Sequence, residues 1–149
     1  MAEREVAILV IEDDLAIRGL LVDVLGDEGY TVRAAGDGEE ALELLESWQP
    51  SLIILDQLMP RMDGAAFRAV QRTRPNLASI PTILLSAARD LSEQGSALDV
   101  TATMPKPFNL DELLALANQV LAERASADEQ SSDESVSTAG RQRRDGASA

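Results

Sequence analysis

The chain has 149 residues, 45% hydrophobic and 26% charged, enough for one domain with a sizeable core, but only 3% aromatic, so that core must be built from Leu, Ile, Val and Ala. The absence of Cys and His excludes disulfides and thiolate zinc sites and argues against histidine-based acid/base catalysis. A net charge of −13 argues against nonspecific nucleic-acid binding. No apolar run approaches the ~18–20 residues of a membrane span, and "MAEREVAILV" lacks a basic n-region and a cleavage site, so a soluble, cytoplasmic protein is expected.

Short β-branched apolar runs alternate with longer segments of helical period. Val6–Ile11 reads as a strand, and Leu15–Leu25 follows as a helix with Leu15, Ile17, Leu20, Leu21, Val24 and Leu25 along one broad side. Tyr30–Ala34 is the second strand, and Glu39–Trp48 a helix with Ala41, Leu42, Leu44, Leu45 and Trp48 on its apolar face. Leu52–Leu55 precedes a helix over Gly64–Thr73, Thr82–Leu85 one near Asp90–Leu98 that contains Gly95, and Thr101–Met104 one over Asp111–Glu123. Asn109 is placed to cap that last helix, with Glu112 three residues on. Residues 125–149 hold one Val and no larger apolar side chain, too little to offset the entropy of ordering, and read as a disordered polar tail behind a domain of residues 1–124.

Five strands alternating with five helices imply a parallel sheet covered on both faces, an α/β doubly wound fold. Ligands of such sheets bind outside the carboxyl ends of the strands. The first strand ends in Glu12-Asp13-Asp14, the third in Asp56 and the fourth in Ser86, and Lys106 follows the fifth. Singly, each has an ordinary reading: Asp14 as a helix cap, Asp56 as a loop cap, Ser86 as a turn residue, Lys106 as a solvated charge. Jointly they form a carboxylate cluster with one hydroxyl and one ammonium. Clustered carboxylates repel unless a cation neutralises them, and oxygen ligands with room for water suit Mg²⁺ better than Zn²⁺ or Cu²⁺. Lys106 is the only lysine in the chain and sits between Pro105 and Pro107.

The segments "ILVIEDDLAIR", "LIILDQLMPRMDG", "TILLSA" and "MPKPF" together resemble the receiver domain of two-component response regulators, over residues 5–123. The resemblance implies the flavodoxin-like (βα)5 fold with strand order 2-1-3-4-5. It implies that Asp56 accepts a phosphoryl group in a Mg²⁺-dependent reaction, with a sensor histidine kinase or phosphotransfer protein as donor. Asp13 and Asp56 would ligate the metal directly, Glu12 through water, and the backbone carbonyl of Leu58 would add a further ligand. Ser86 matches the switch hydroxyl, Lys106 matches the lysine that pairs with the phosphoryl group, and the Lys106–Pro107 peptide is expected to be cis. A self-modifying switch is implied, not an enzyme with turnover substrates. Its downstream protein partner would be met through the surface of the fourth helix, fifth strand and fifth helix.

One position departs from the family pattern. Three residues before Lys106, where an aromatic is usual, stands Thr103, and Asp99 and Val100 replace the usual Gly-Ala step. The phospho-accepting positions are intact, so the departure bears on how a signal reaches the surface. Two further readings follow from it and from the tail: a constitutive interaction module that keeps the fold, and a receiver fragment of a longer regulator. A phosphatase of the haloacid dehalogenase type, which also uses an aspartyl nucleophile, needs a second acid where this chain has Leu58.

Overall fold

A computed structural model of the chain describes residues 6–87 and 91–126. Five strands, β1 (Ala7–Ile11), β2 (Thr31–Ala35), β3 (Leu52–Asp56), β4 (Thr82–Ser86) and β5 (Ala102–Pro105), form one parallel sheet in the order β2-β1-β3-β4-β5. The central strands β1, β3 and β4 are buried at every position, as their unbroken apolar runs require of strands covered on both faces.

Alternate residues of each strand feed two cores. One face packs Ile8, Val10, Leu52, Ile54, Ile83 and Leu85 against Leu21 and Leu25 of α1 (Leu15–Asp27) and Leu113, Ala117 and Val120 of the C-terminal helix. The opposite face packs Leu9, Ile11, Ile53, Leu55 and Leu84 against Ala41 and Leu45 of α2 (Gly38–Leu45), Phe67 of α3 (Gly64–Thr73) and Leu77 of the short α4 (Pro75–Ala78). Helix α5 (Leu91–Leu98) covers the β4–β5 side of that second face, and the C-terminal helix α6 runs over 110–126.

Four of the helices start on a side-chain cap. Asp14, Asp37, Asp63 and Asn109 accept the N–H groups of Ile17 (3.0 Å), Glu40 (2.9 Å), Ala66 (2.9 Å) and Glu112 (3.0 Å). Each such cap contributes about 1 kcal/mol. At the end of α5, the buried Arg68 of α3 donates from Nε to Leu98 O (2.9 Å) and from its terminal nitrogen to Asp99 O.

Most element boundaries depart from the sequence reading by one or two residues. α2 stops at Leu45 instead of Trp48: Glu46 and Ser47 form a closing turn, and Trp48 reaches the same core from outside the helix. α4 has no counterpart in the sequence reading, because four residues are too few to show a period. Residues 125 and 126 continue α6, and the rest of the expected tail lies outside the described residues.

Candidate functional site

The strand order reverses around β1: β2 lies on one side of it and β3 on the other. Helices α1 and α3 therefore leave on opposite faces, and a crevice opens at the carboxyl ends of β1 and β3. Ile11 pairs with Leu55 in register, so the next residue of each strand, Glu12 and Asp56, come side by side. Oxygens of Glu12, Asp13 and Asp56 lie within 4.8 Å of one another. Glu12 and Asp56 are buried and Asp13 is exposed, so the cluster has one open side.

The other two strands complete the crevice. Asp56 pairs with Leu85, which carries the buried Ser86 to the same end of the sheet, and Ser86 pairs with Pro105. Lys106 N–H then donates to Ser86 O (3.0 Å), and the Lys106–Pro107 peptide is cis. The Lys106 side chain turns back into the crevice, where Nζ lies 3.0 Å from Asp56 Oδ1 and 3.3 Å from Glu12 Oε1. Asp14 faces the other way: its side chain caps α1, and its N–H donates to Glu12 Oε2 at 3.2 Å.

The electrostatics follow from this packing. Burial, with the Asp56 charge beside it, pushes the Glu12 carboxyl up to about 7, although the Asp14 N–H and Lys106 act the other way. For Lys106, burial acts to lower the pKa, but the hydrogen bond and charge of Asp56, joined by Glu12, outweigh it and the net shift is upward. The two shifts are consistent if Lys106 belongs first to Asp56, the shorter contact, and only secondly to Glu12. Three carboxylates against one ammonium leave an excess of negative charge in a partly buried crevice. All-oxygen donors, few in number and open on one side, fit a hard divalent cation such as Mg²⁺.

Two further sequence-predicted positions lie beside the crevice: Leu58, expected to offer its backbone carbonyl, and Thr103, the expected switch position. Leu58 lies in the loop after β3 with its side chain 71% exposed. Thr103 is half-buried on β5, paired with Leu84. It meets α5 rather than the carboxylates: a side chain at Gly95 would place its Cβ 2.5 Å from Thr103 Cγ2. Gly95, Ser96, Asp99, Val100, Thr101, Ala102 and Thr103 line a groove of about 400 Å³ there.

Sequence reasoning passed over the residues that hold the crevice from behind. Arg18 of α1 donates to Glu12 O at 3.0 Å. Asp37, 1% exposed, binds both the start of α2 and Arg61 of the loop over 57–63. An Asp followed three residues later by Glu40 is a helix-start signal, so Asp37 was visible as a cap; nothing in the spacing marks its second partner.

Comparison with known proteins agrees with this geometry. Residues 8–118 match the response regulator receiver domain family. The chain is 39% identical over 130 residues to the response regulator MprA of Mycobacterium ulcerans, covering 86% of this chain and 55% of that protein. It thus spans about half the length of the curated relatives it matches. The chemotaxis response regulator CheY4 of Vibrio cholerae superposes with a TM-score of 0.73 at 30% identity, over 78% of this chain and 99% of that one. The receiver domain of Francisella response regulator 1452 does so with a TM-score of 0.73 at 28% identity, over 81% and 99%. No helix among the described residues is long and apolar enough to cross a membrane. The matched residues 8–118 include the strand ends that carry the acidic crevice, and the chain belongs to the response regulator receiver domain family.

Proposed function

We propose that this chain is a cytoplasmic phospho-accepting switch in which Asp56 takes a phosphoryl group from a phosphohistidine on a sensor kinase or phosphotransfer protein. The observation that carries the reading is Lys106, whose ammonium lies within hydrogen-bond distance of both Asp56 and Glu12 at the switch point of the sheet. An Asp56 carboxylate oxygen attacks phosphorus, the phosphorus–nitrogen bond breaks, and the imidazole nitrogen keeps the electron pair and takes up a proton. Phosphoryl transfer asks mainly for positioning and charge neutralisation. Glu12, Asp13, Asp56 and the Leu58 carbonyl would hold Mg²⁺, which when bound supplies positive charge opposite the transferring oxygens. Lys106 neutralises the same group from the β5 side, and the Ser86 hydroxyl donates to one of its oxygens. Water attacking the acyl phosphate resets the protein, so the chain modifies itself and turns over no substrate.

Its output is a protein contact on the surface formed by α5, β5 and α6. The test is labelling of the chain by acetyl phosphate. Mg²⁺-dependent incorporation that disappears in Asp56→Asn is expected; labelling that persists in that variant, or that needs no divalent ion, refutes the assignment.

A further inference from the structure

We propose that Asp37 and Arg61 form a clamp that sets the loop over 57–63 and thereby tunes the divalent-cation affinity of the acidic crevice. The proposal rests on the Mg²⁺ reading of that site. Both are positioning residues: neither belongs to the carboxylate cluster.

The loop joins Asp56 to α3 and is fixed at its base. Gly64 N–H donates to Gln57 O at 2.9 Å, and a Cβ on Gly64 would lie 2.9 Å from Asp56 O, so backbone meets backbone there. The tip is fixed differently. Met62 N–H turns back on Pro60 O at 2.6 Å, and Arg61 holds a left-handed backbone, φ 61°. That conformation aims its guanidinium at Asp37, with Glu39 Oε1 3.6 Å away. Met62 O accepts from Gly38 N–H at 3.2 Å, and a Cβ on Gly38 would stand 2.6 Å from Met62 Cγ. The tip therefore seats on the first turn of α2 by the ion pairs of Arg61 with Asp37 and Glu39, one backbone hydrogen bond and one close packing contact.

Asp37 is equipped for two tasks. Its Oδ1 accepts the Glu40 N–H and caps α2, while Oδ2 faces Arg61. The Glu40 N–H first, and Arg61 after it, hold its carboxyl below the usual carboxylate range although it is buried. The turn it belongs to is also tied to the other side of the crevice. Glu12 N–H donates to Ala35 O at 3.0 Å, and Gly36 N–H donates to Glu40 Oε1 at 2.7 Å. The first turn of α2 thus links the segment that carries Glu12 to the loop that follows Asp56.

Stability alone accounts poorly for this arrangement. The Arg61 side chain is 65% exposed against 1% for Asp37, so solvent screens the arginine's side of the pair, and a left-handed backbone at a non-glycine residue offsets part of what the pair contributes. A loop released from the clamp would populate its cation-competent conformation less, and apparent affinity falls by that fraction.

The test is isothermal titration of the full chain with MgCl₂. Arg61→Asn keeps a residue that tolerates the left-handed backbone and removes the guanidinium. Asp37→Asn keeps the cap and removes the charge. Each is expected to weaken Mg²⁺ binding about tenfold, as loss of an outer-shell partner does. The double variant should be no weaker than either single one, and Arg61→Lys should recover part of the affinity. The urea midpoint of Arg61→Asn should fall, since Asp37 loses a partner, yet leave the protein folded under the titration conditions. Unchanged Mg²⁺ affinity in Arg61→Asn, in a parent that binds Mg²⁺, overturns the clamp alone; a parent that binds no Mg²⁺ overturns the metal reading and the clamp with it. Since Arg61 is exposed, its variant decides the matter even if Asp37→Asn folds poorly.

Discussion

Replacing Glu12 with Gln should stabilise the metal-free protein at neutral pH, contrary to the usual effect of altering a buried residue. The Glu12 carboxyl moves from 4.5 in the unfolded chain to about 7 in the fold, chiefly through burial and then through the Asp56 charge. Between those values the native state keeps a proton that the unfolded chain has released, so stability falls as pH rises through the window. The penalty is absent below about 4.5 and complete above about 7. The rise from 4.5 to about 7, at ~1.4 kcal/mol per tenfold change, sets a ceiling of ~3.5 kcal/mol. Because Lys106 and Asp56 share the titration, about 1–3 kcal/mol is expected. Gln brings no second charge but has one acceptor oxygen where Glu12 uses two, so it keeps either the Asp14 N–H or the Lys106 contact, and Lys106 keeps Asp56 at 3.0 Å. Urea unfolding in EDTA, followed by the single Trp48, reads both proteins at pH 5 and pH 8. The variant should gain on the parent between the two pH values. Saturating Mg²⁺, which stabilises whichever protein binds it more tightly, should turn the advantage to the parent at pH 8. Parallel stability–pH curves for the two proteins in EDTA would refute the electrostatic account.

Two packing predictions follow from glycines that have no room for a side chain. Gly64→Ala puts a methyl 2.9 Å from Asp56 O and from Gln57 Cα, both backbone atoms, and should cost about 1–3 kcal/mol in urea unfolding; a loss below about 0.5 kcal/mol would show the loop base to be loose. Gly95→Ala should also destabilise, because the contact with Thr103 Cγ2 at 2.5 Å outweighs the ~1 kcal/mol of added helix propensity. In a Thr103→Ser background, which lacks that methyl, the same change should be neutral or stabilising. A double-mutant cycle that returns no coupling between positions 95 and 103 would count against the contact.

The strands were legible because a parallel sheet covered on both faces demands unbroken apolar runs, and few other structures produce "AILVI" and "LIIL" side by side. The crevice was legible for a related reason: in this topology the residue after each strand has one place to go. What stayed hidden depended on pairs distant in sequence. Asp37 and Arg61 are 24 residues apart, and each has a sufficient local role, one as a cap and the other as a surface charge. Gly95 and Thr103 stood out separately, the first as a flaw in a helix and the second as a departure from the family pattern. In the structure they are one feature: the glycine leaves space that the threonine methyl occupies, and a larger side chain at either position would force α5 away from β5.

The single lysine can be tested against the residue the chain otherwise uses for every positive charge. Three carboxylates and one ammonium leave two negative charges, which one divalent cation balances. An ammonium is a point charge with three donors on a flexible stem, so Lys106 can bond Asp56 and Glu12 at once and still turn a proton to an incoming oxygen. A guanidinium keeps the charge but spreads it over a planar fork suited to gripping one carboxylate with two parallel bonds. In Lys106→Arg that fork would occupy Asp56, the proposed nucleophile, in a side-chain site only 22% exposed. Mg²⁺ affinity should therefore fall less than labelling does, since the charge count is unchanged and Glu12 and Asp13 keep their oxygens free of the fork. Labelling by acetyl phosphate should slow about tenfold or more, since displacement of reacting groups by about 1 Å already costs more than that. The two readouts separate charge from shape. If Lys106→Arg labels as fast as the parent, neutralisation alone is what the site requires, and the choice of lysine needs another explanation.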